Sequence, residues 1–188
     1  MILPLKNPNT DNYKSLKNFI LSEDFPWFYH ETSTFDCNSD LKYSSENKYG
    51  NLPFYGHTLL DRPDGPKKYK KISEVKSQYF NLAYNVFEEI LNFNNYELGY
   101  FYIRMNVNCV HSDTDLQYSM PHVDHRFPHK NIIVYLTNSG GSTIVDDNKY
   151  DPIEDDIIMF EGEHYLEKPK KNRRIILVST IFTDFIGF

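Results

Sequence analysis

The segment MPHVDHRFPHK, residues 120–130, places His122, Asp124, His125 and His129 close together, with three of the seven histidines of a 188-residue chain. In an extended strand successive side chains point to opposite faces, so an imidazole and a carboxylate two positions apart share one side. His122 and Asp124 therefore make a pair able to grip one metal ion. The same alternation turns Val123 and His125 away. His129 begins the next apolar run and is expected in a supporting position or at the surface. Two ligands are not a site, and a third must arrive from another strand.

His164, in FEGEHYLEKP, lies at the exit of the apolar run DDIIMF and is the candidate third ligand. Two histidines and one carboxylate on one side of a metal leave coordination positions open, an arrangement suited to non-haem Fe(II) and O₂. A structural zinc site would be closed by four ligands, usually with Cys, and neither Cys37 nor Cys109 lies near another candidate ligand in sequence. His30, His57 and His111 read as ordinary hydrogen-bonded or surface residues. Downstream, the run RRIILVSTIF opens with Arg173 and Arg174. An arginine at the start of a buried strand needs a partner, because an unpaired buried charge is costly, and its fork suits a carboxylate. A ligand with two carboxyl ends could meet the metal at one end and an arginine at the other.

Strands must position these groups. YELGYFYIRMNVNCV alternates over a long β run, and HKNIIVYLT, GSTIVDD, DDIIMFEG and RRIILVSTIF follow at short spacing between Asn, Gly and Asp turns. No helix-length amphipathic segment separates them, which excludes a parallel α/β sheet and favours antiparallel strands in two facing sheets. The expected fold is mostly β with flanking helices, a jelly roll over about 96–188 with helices from about 1–95 packed on one sheet. NYKSLKNFIL has helical spacing at Tyr13, Leu16, Phe19 and Ile20. ISEVKSQYFNLAYNVFEEILNF predicts the strongest helix, with Ile72, Val75, Tyr79, Leu82, Val86, Ile90 and Phe93 on its apolar stripe. FPWFYHETSTF and PFYGHTLL read as extended, and Trp27, Phe28, Tyr29 and Phe54 are candidates to line a cleft, with core packing as the plainer role.

The length fits a single domain, 1–188. Hydrophobic residues make up 40 % and aromatics 16 %, a globular composition. The formal net charge of −6 argues against bulk nucleic-acid binding. The basic run at 66–71 reads as a solvated face, and Lys168 to Arg173 as a solvated loop beside the site. With two cysteines there is no disulfide framework, and two free thiols in a reducing compartment are expected. MILPLKNPNTDNYK has no signal-peptide pattern and no apolar run is long enough to span a membrane, so the expected location is the cytoplasm.

The order His122-Val-Asp124, then His164, then Arg174 resembles the His-X-Asp…His…Arg signature of Fe(II)/2-oxoglutarate-dependent oxygenases. From YIRMNVN through PHVDHRFPHKNIIVYLTNSGGSTIVDD to RRIILVSTIF the chain is similar to the small prolyl-4-hydroxylase-like oxygenases encoded by marine phages, which would make the compartment a host cytoplasm. The resemblance covers about the C-terminal half. It implies a double-stranded β-helix core and Fe(II) held by His122, Asp124 and His164. It implies 2-oxoglutarate chelating through its 1-carboxylate and 2-oxo group, with its far carboxylate on Arg174 and Arg173 facing solvent. O₂ would be co-substrate, and decarboxylation to succinate would drive hydroxylation of a C–H bond on a peptide, prolyl-like, or on a small molecule. The family often carries a 2-oxoglutarate-holding tyrosine on the strand after His-X-Asp. Here the aligned position is Val134 with Tyr135 beside it, so either the register slips by one or another residue, with Asn106 and Asn108 as candidates, supplies the contact. Two readings of other classes are a cupin-like metal-binding jelly roll without 2-oxoglutarate chemistry and a β-sandwich binding or structural module.

Overall fold

The computed structural model describes residues 1–32, 48–63, 72–113 and 115–183. Cys37 and the basic run at 66–71 lie outside the described residues. In chain order the elements are β1 (Ile2–Leu5), α1 (Asp11–Leu21), β2 (Phe28–His30), β3 (Tyr49–Gly50), β4 (Phe54–Asp61), β5 (Glu74–Val75) and α2 (Phe80–Phe93). They continue with β6 (Phe101–His111), β7 (Tyr118–Ser119), β8 (Lys130–Tyr135), β9 (Thr143–Val145), β10 (Asn148–Tyr150), β11 (Ile157–Phe160), β12 (His164–Leu166) and β13 (Arg173–Phe182).

The large sheet runs β1-β11-β8-β13-β6-β4-β2, with β5 on β4, and its pairings are antiparallel. A smaller antiparallel sheet, β10-β9-β12, lies opposite. Its Val145 packs against Ile133, Tyr135, Ile158, Phe160, Ile176 and Val178 of the large sheet. The result is a mostly β jelly roll with, among the described residues, two helices on its outside.

Strand alternation sorts residues to the two faces of the large sheet. Met105, Val107 and Cys109 of β6, Ile132 and Val134 of β8, and Ile175 and Leu177 of β13 face outward into one apolar core. That core is closed by Tyr13, Leu16 and Ile20 of α1 and by Ala83, Val86, Phe87, Ile90 and Leu91 of α2. The opposite parity faces the small sheet, and register makes it specific. Ile176 pairs with both Asn108 and Tyr135, Val178 with Asn106 and Ile133, and Thr180 with Arg104 and Asn131.

Helix α1 starts where the sequence suggests, with Thr10 Oγ1 accepting from the Tyr13 N–H at 3.1 Å, an N-cap that satisfies one orphan donor. The second helix corrects its expectation. It begins at Phe80, and Ile72 and Val75 lie outside it and are exposed. Val75 instead pairs with Leu60 as β5 on β4, and Ser77 Oγ accepts from the Tyr79 N–H at 3.1 Å in the turn before the helix. The buried stripe is Ala83, Val86, Phe87, Ile90 and Leu91, while Leu82 and Phe93 face solvent. The apolar residues before Ser77 mimicked helical spacing by coincidence.

The sequence pattern announces neither β1 nor β12. β1 contains Pro4 and pairs only with β11, at the sheet edge where a missing N–H is tolerated. β12 gives His164 a strand of its own in the small sheet, rather than a place at the exit of β11. Among the described residues no helix is long and apolar enough to cross a membrane.

Candidate metal centre

His122 and His164 meet where the small sheet closes over the large one. They form an isolated antiparallel bridge: the His122 N–H donates to the His164 carbonyl at 3.0 Å, and the His164 N–H to that of His122 at 2.9 Å. This exchange sets the two rings side by side, with centroids 4.5 Å apart. Asp124 follows two residues on, in a turn rather than a regular strand, and the ligand-type atoms of His122, Asp124 and His164 lie within 4.8 Å of one another. Each imidazole is oriented by its other nitrogen. Nδ1 of His122 donates to the Met120 carbonyl at 3.0 Å, and Nδ1 of His164 to that of Gly162 at 3.2 Å. A carbonyl can only accept, so Nδ1 carries the proton and the Nε2 lone pair is left to a metal.

The protonation states suit that use. Burial lowers the pKa of His164 to about 4, with His122 adding to the effect and Asp124 opposing it. The imidazole is therefore neutral at pH 7, and its 3.5 Å approach to Asp124 Oδ2 is not a charged pair. Burial alone would raise the Asp124 carboxyl, but Arg104, His164, His122 and Arg62 together hold it well below the usual carboxylate range. Arg104 Nη1 donates to Asp124 Oδ1 at 2.6 Å, and Arg62 Nη2 lies 3.6 Å from the same oxygen. Burial lowers Arg104 to about 10, which leaves it charged at neutral pH.

The other two histidines of the opening segment stay out of the cluster. His125 is buried and stacks on Phe127 with centroids 4.9 Å apart. His129 is buried rather than at the surface, and its Nδ1 donates to the Phe127 carbonyl at 2.7 Å. Its Nε2 has no hydrogen-bond partner.

Away from the triad, the inward face of the large sheet holds a second polar group. Arg174 is 1 % exposed, the largest fully buried side chain, whereas Arg173 is exposed. The Arg174 guanidinium donates to the carbonyls of Gly140 at 3.2 Å, Ser142 at 3.5 Å and Gly141, and lies 6.0 Å from the Tyr135 ring centroid. Its Nε has no partner. The Gly–Gly turn is needed for this. Gly141 has φ +78°, and a Cβ there would sit 2.4 Å from the Lys168 carbonyl oxygen. Tyr135, not Val134, faces inward, and its hydroxyl meets Thr143 Oγ1 at 2.7 Å. Asn108 Oδ1 and Asn131 Nδ2 are also buried on this face without partners. Asn106 is engaged otherwise: with its amide turned to satisfy both ends, its oxygen accepts from Arg104 Nη2 at 2.8 Å and Nε at 3.2 Å.

Arg62 and Arg104 were missed at the level of sequence. Arg104 had a signal, since it shares parity with Asn106 and Asn108 on a strand whose other face is apolar. Arg62 had none, because only the β4–β6 pairing brings it to Asp124. The expected cleft aromatics divide: Trp27 packs with Phe25 against the outer core, Phe54 stacks on His30, and Phe28 and Tyr29 are exposed.

The donor set fits a divalent ion, with two imidazoles and one carboxylate converging from one side. The Arg174 Nε, without a partner among the described residues, and the Tyr135 hydroxyl are donors that fit a carboxylate-bearing group on the same inward face. No protein-family model matches the chain, and no curated protein matches it. Solved structures do. An oxidoreductase of the 2OG-Fe(II) oxygenase family from Burkholderia pseudomallei is 16 % identical at TM-score 0.55, over 68 % of each chain. The non-heme alpha-ketoglutarate-dependent epimerase SnoN from nogalamycin biosynthesis is 9 % identical at TM-score 0.55, over 97 % of this chain and 78 % of its own. A prolyl hydroxylase from Trichoplax adhaerens, solved with a hypoxia-inducible-factor peptide fragment, is 11 % identical at TM-score 0.52, over 97 % of this chain and 84 % of its own. At these identities the likeness shows a shared fold.

Proposed function

We propose that the chain is an Fe(II)- and 2-oxoglutarate-dependent dioxygenase that hydroxylates a C–H bond. One observation carries the reading: an open His–Asp–His face and a fully buried arginine whose hydrogen bonds, among the described residues, go to backbone carbonyls lie on the same interior of one jelly roll. His122, Asp124 and His164 would hold Fe(II) through Nε2, a carboxylate oxygen and Nε2. Arg174, with Tyr135 and Asn108, would bind the far carboxylate and flank of 2-oxoglutarate. Bound together, the metal and 2-oxoglutarate supply the oxidising chemistry, in which O₂ is consumed, 2-oxoglutarate becomes succinate and CO₂, and a substrate C–H becomes C–OH. The protein's part is to orient both imidazoles, to keep Asp124 ionised and to exclude water along the apolar wall of Ile133, Ile176 and Val178.

The chain is read as one domain, in which about 1–95 supports the core of about 96–188. The substrate class placed first is a peptidyl side chain of prolyl type. The prolyl hydroxylase of the same fold supports it, as does exposed Phe28 on the edge strand β2, which pairs with Gly56 opposite Asn108 on the inward face. The test is anaerobic titration of the protein with Fe(II) and 2-oxoglutarate, followed in the visible region. A charge-transfer band that needs both components and is lost in Asp124→Ala supports the reading. Bound Fe(II) without such a band, and no metal-dependent rise in melting temperature on adding 2-oxoglutarate, would refute it in favour of a cupin-like jelly roll.

A further inference from the structure

The two oxygens of Asp124 have different surroundings. Oδ2 faces the histidines, 3.5 Å from His164 Nε2. Oδ1 faces the arginines, 2.6 Å from Arg104 Nη1 and 3.6 Å from Arg62 Nη2. Neither arginine is a loose surface cation. Arg104 is gripped on its other edge by the Asn106 amide oxygen at 2.8 and 3.2 Å. Arg62 Nη1 donates to the backbone carbonyl of Asp124 itself at 3.0 Å. Side chain and main chain of the aspartate are thus held by groups from β6 and from the end of β4.

A carboxylate can bind a metal through one oxygen or both, and the second mode occupies a further coordination position. A guanidinium on Oδ1 competes with that mode directly. We propose that Arg104, assisted by Arg62, is a positioning residue that reserves Asp124 Oδ1 and makes Asp124 a one-oxygen ligand through Oδ2. This keeps a coordination position open at the metal. It also carries a cost, because two guanidinium charges beside a dication oppose its binding. The benefit is orientation: the Asp124 carboxylate cannot rotate without breaking the hydrogen bond to Arg104.

The inference rests on the proposed centre only in that His122, Asp124 and His164 bind a divalent ion. It is tested on the full chain by anaerobic titration with Co(II), read by calorimetry and by the visible d–d absorption, which reports coordination number. Arg104→Met is expected to weaken Co(II) binding by on the order of 10–100-fold and to change the d–d spectrum as Oδ1 becomes available. Arg104→Lys, which keeps one donor for Oδ1, recovers part of the affinity and most of the wild-type spectrum. Arg62→Met shows the smaller loss, because its contact is longer. Melting of the metal-free variants checks folding, and if Arg104→Met does not fold, the other two variants carry the test. Wild-type affinity and spectrum in the folded variants would overturn the proposal, as would weaker binding with an unchanged spectrum. No Co(II) binding by the wild-type protein would overturn the metal centre itself, and this inference with it.

Discussion

The two faces of the large sheet are built from the same strands and differ in almost every other respect. On the outer face, Met105, Val107, Ile132, Val134, Ile175 and Leu177 pack under two helices as an apolar layer interrupted at Ser179. On the inner face the same strands carry Arg104, Asn106, Asn108, Asn131, Tyr135, Arg174 and Thr180. Three of these, Asn108, Asn131 and Arg174, keep a buried polar atom without a partner. Each such atom costs about 1–3 kcal/mol, so beside its apolar patch of Ile133, Ile158, Ile176 and Val178 this interior keeps a polar part apt as a ligand site. The outer face holds the fold together, and the inner face holds groups ready for something else.

That contrast can be broken by substitution. The largest effect is expected at the triad: Asp124→Ala should reduce metal-dependent succinate formation from 2-oxoglutarate to background. Leu177→Ala, on the same sheet but facing outward, should leave turnover per folded molecule near wild type. Next comes Arg174→Met. Removing one partner of a buried charge pair typically weakens binding by about 2–5 kcal/mol, so the Kd for 2-oxoglutarate in the metal-loaded protein should rise at least 30-fold on that scale. Its melting temperature should fall as well, since the carbonyls of Gly140, Gly141 and Ser142 lose their donor. A fall in stability with unchanged affinity would mean that Arg174 belongs to the core.

The outer face should show the mirror image. Leu177→Ala is expected to cost about 2–5 kcal/mol of stability in denaturant titrations while 2-oxoglutarate affinity holds. Acid sharpens the comparison from the inner side. The pKa of His164 is depressed by burial to about 4. Between that value and its ordinary 6.5 the unfolded chain binds the extra proton, so stability of the metal-free protein should fall as pH drops through this window, by roughly 3 kcal/mol or less. Asp124, held lower still, adds nothing there, because its contribution is lost only below the ordinary carboxylate range. His164→Gln should flatten the dependence in denaturant titrations run at several pH values. The smallest effect is Asn108→Leu, which removes a buried unpaired oxygen and should stabilise the metal-free protein by about 1 kcal/mol, read from the same titrations.

Much of this was legible before any coordinates. The period-2 pattern of YFYIRMNVNCV and RRIILVSTIF is local, so the outward apolar set and the inward polar set follow from alternation alone. The family resemblance chose Arg174, while alternation by itself says only that one of Arg173 and Arg174 faces inward. That local logic also separated His122 and Asp124 from His125. It failed for α2, because Ile72 and Val75 have helical spacing yet pair with β4 as an edge strand, and nothing local distinguishes the two states. It left Val134 and Tyr135 open as well, until the pairing of Ile176 with Tyr135 fixed which one faces inward.

By itself, then, the sequence determined the strand pattern, the polarity of each face and the residue types able to bind a metal, because those depend on a side chain and its near neighbours. The tertiary structure decided which residues meet. It brought His164 to His122 through a two-bond bridge between distant segments, carried Arg62 from the end of β4 to Asp124, and set the Asn106 amide against Arg104. Those contacts depend on long-range pairing and register, in which a shift of one residue reverses every side chain.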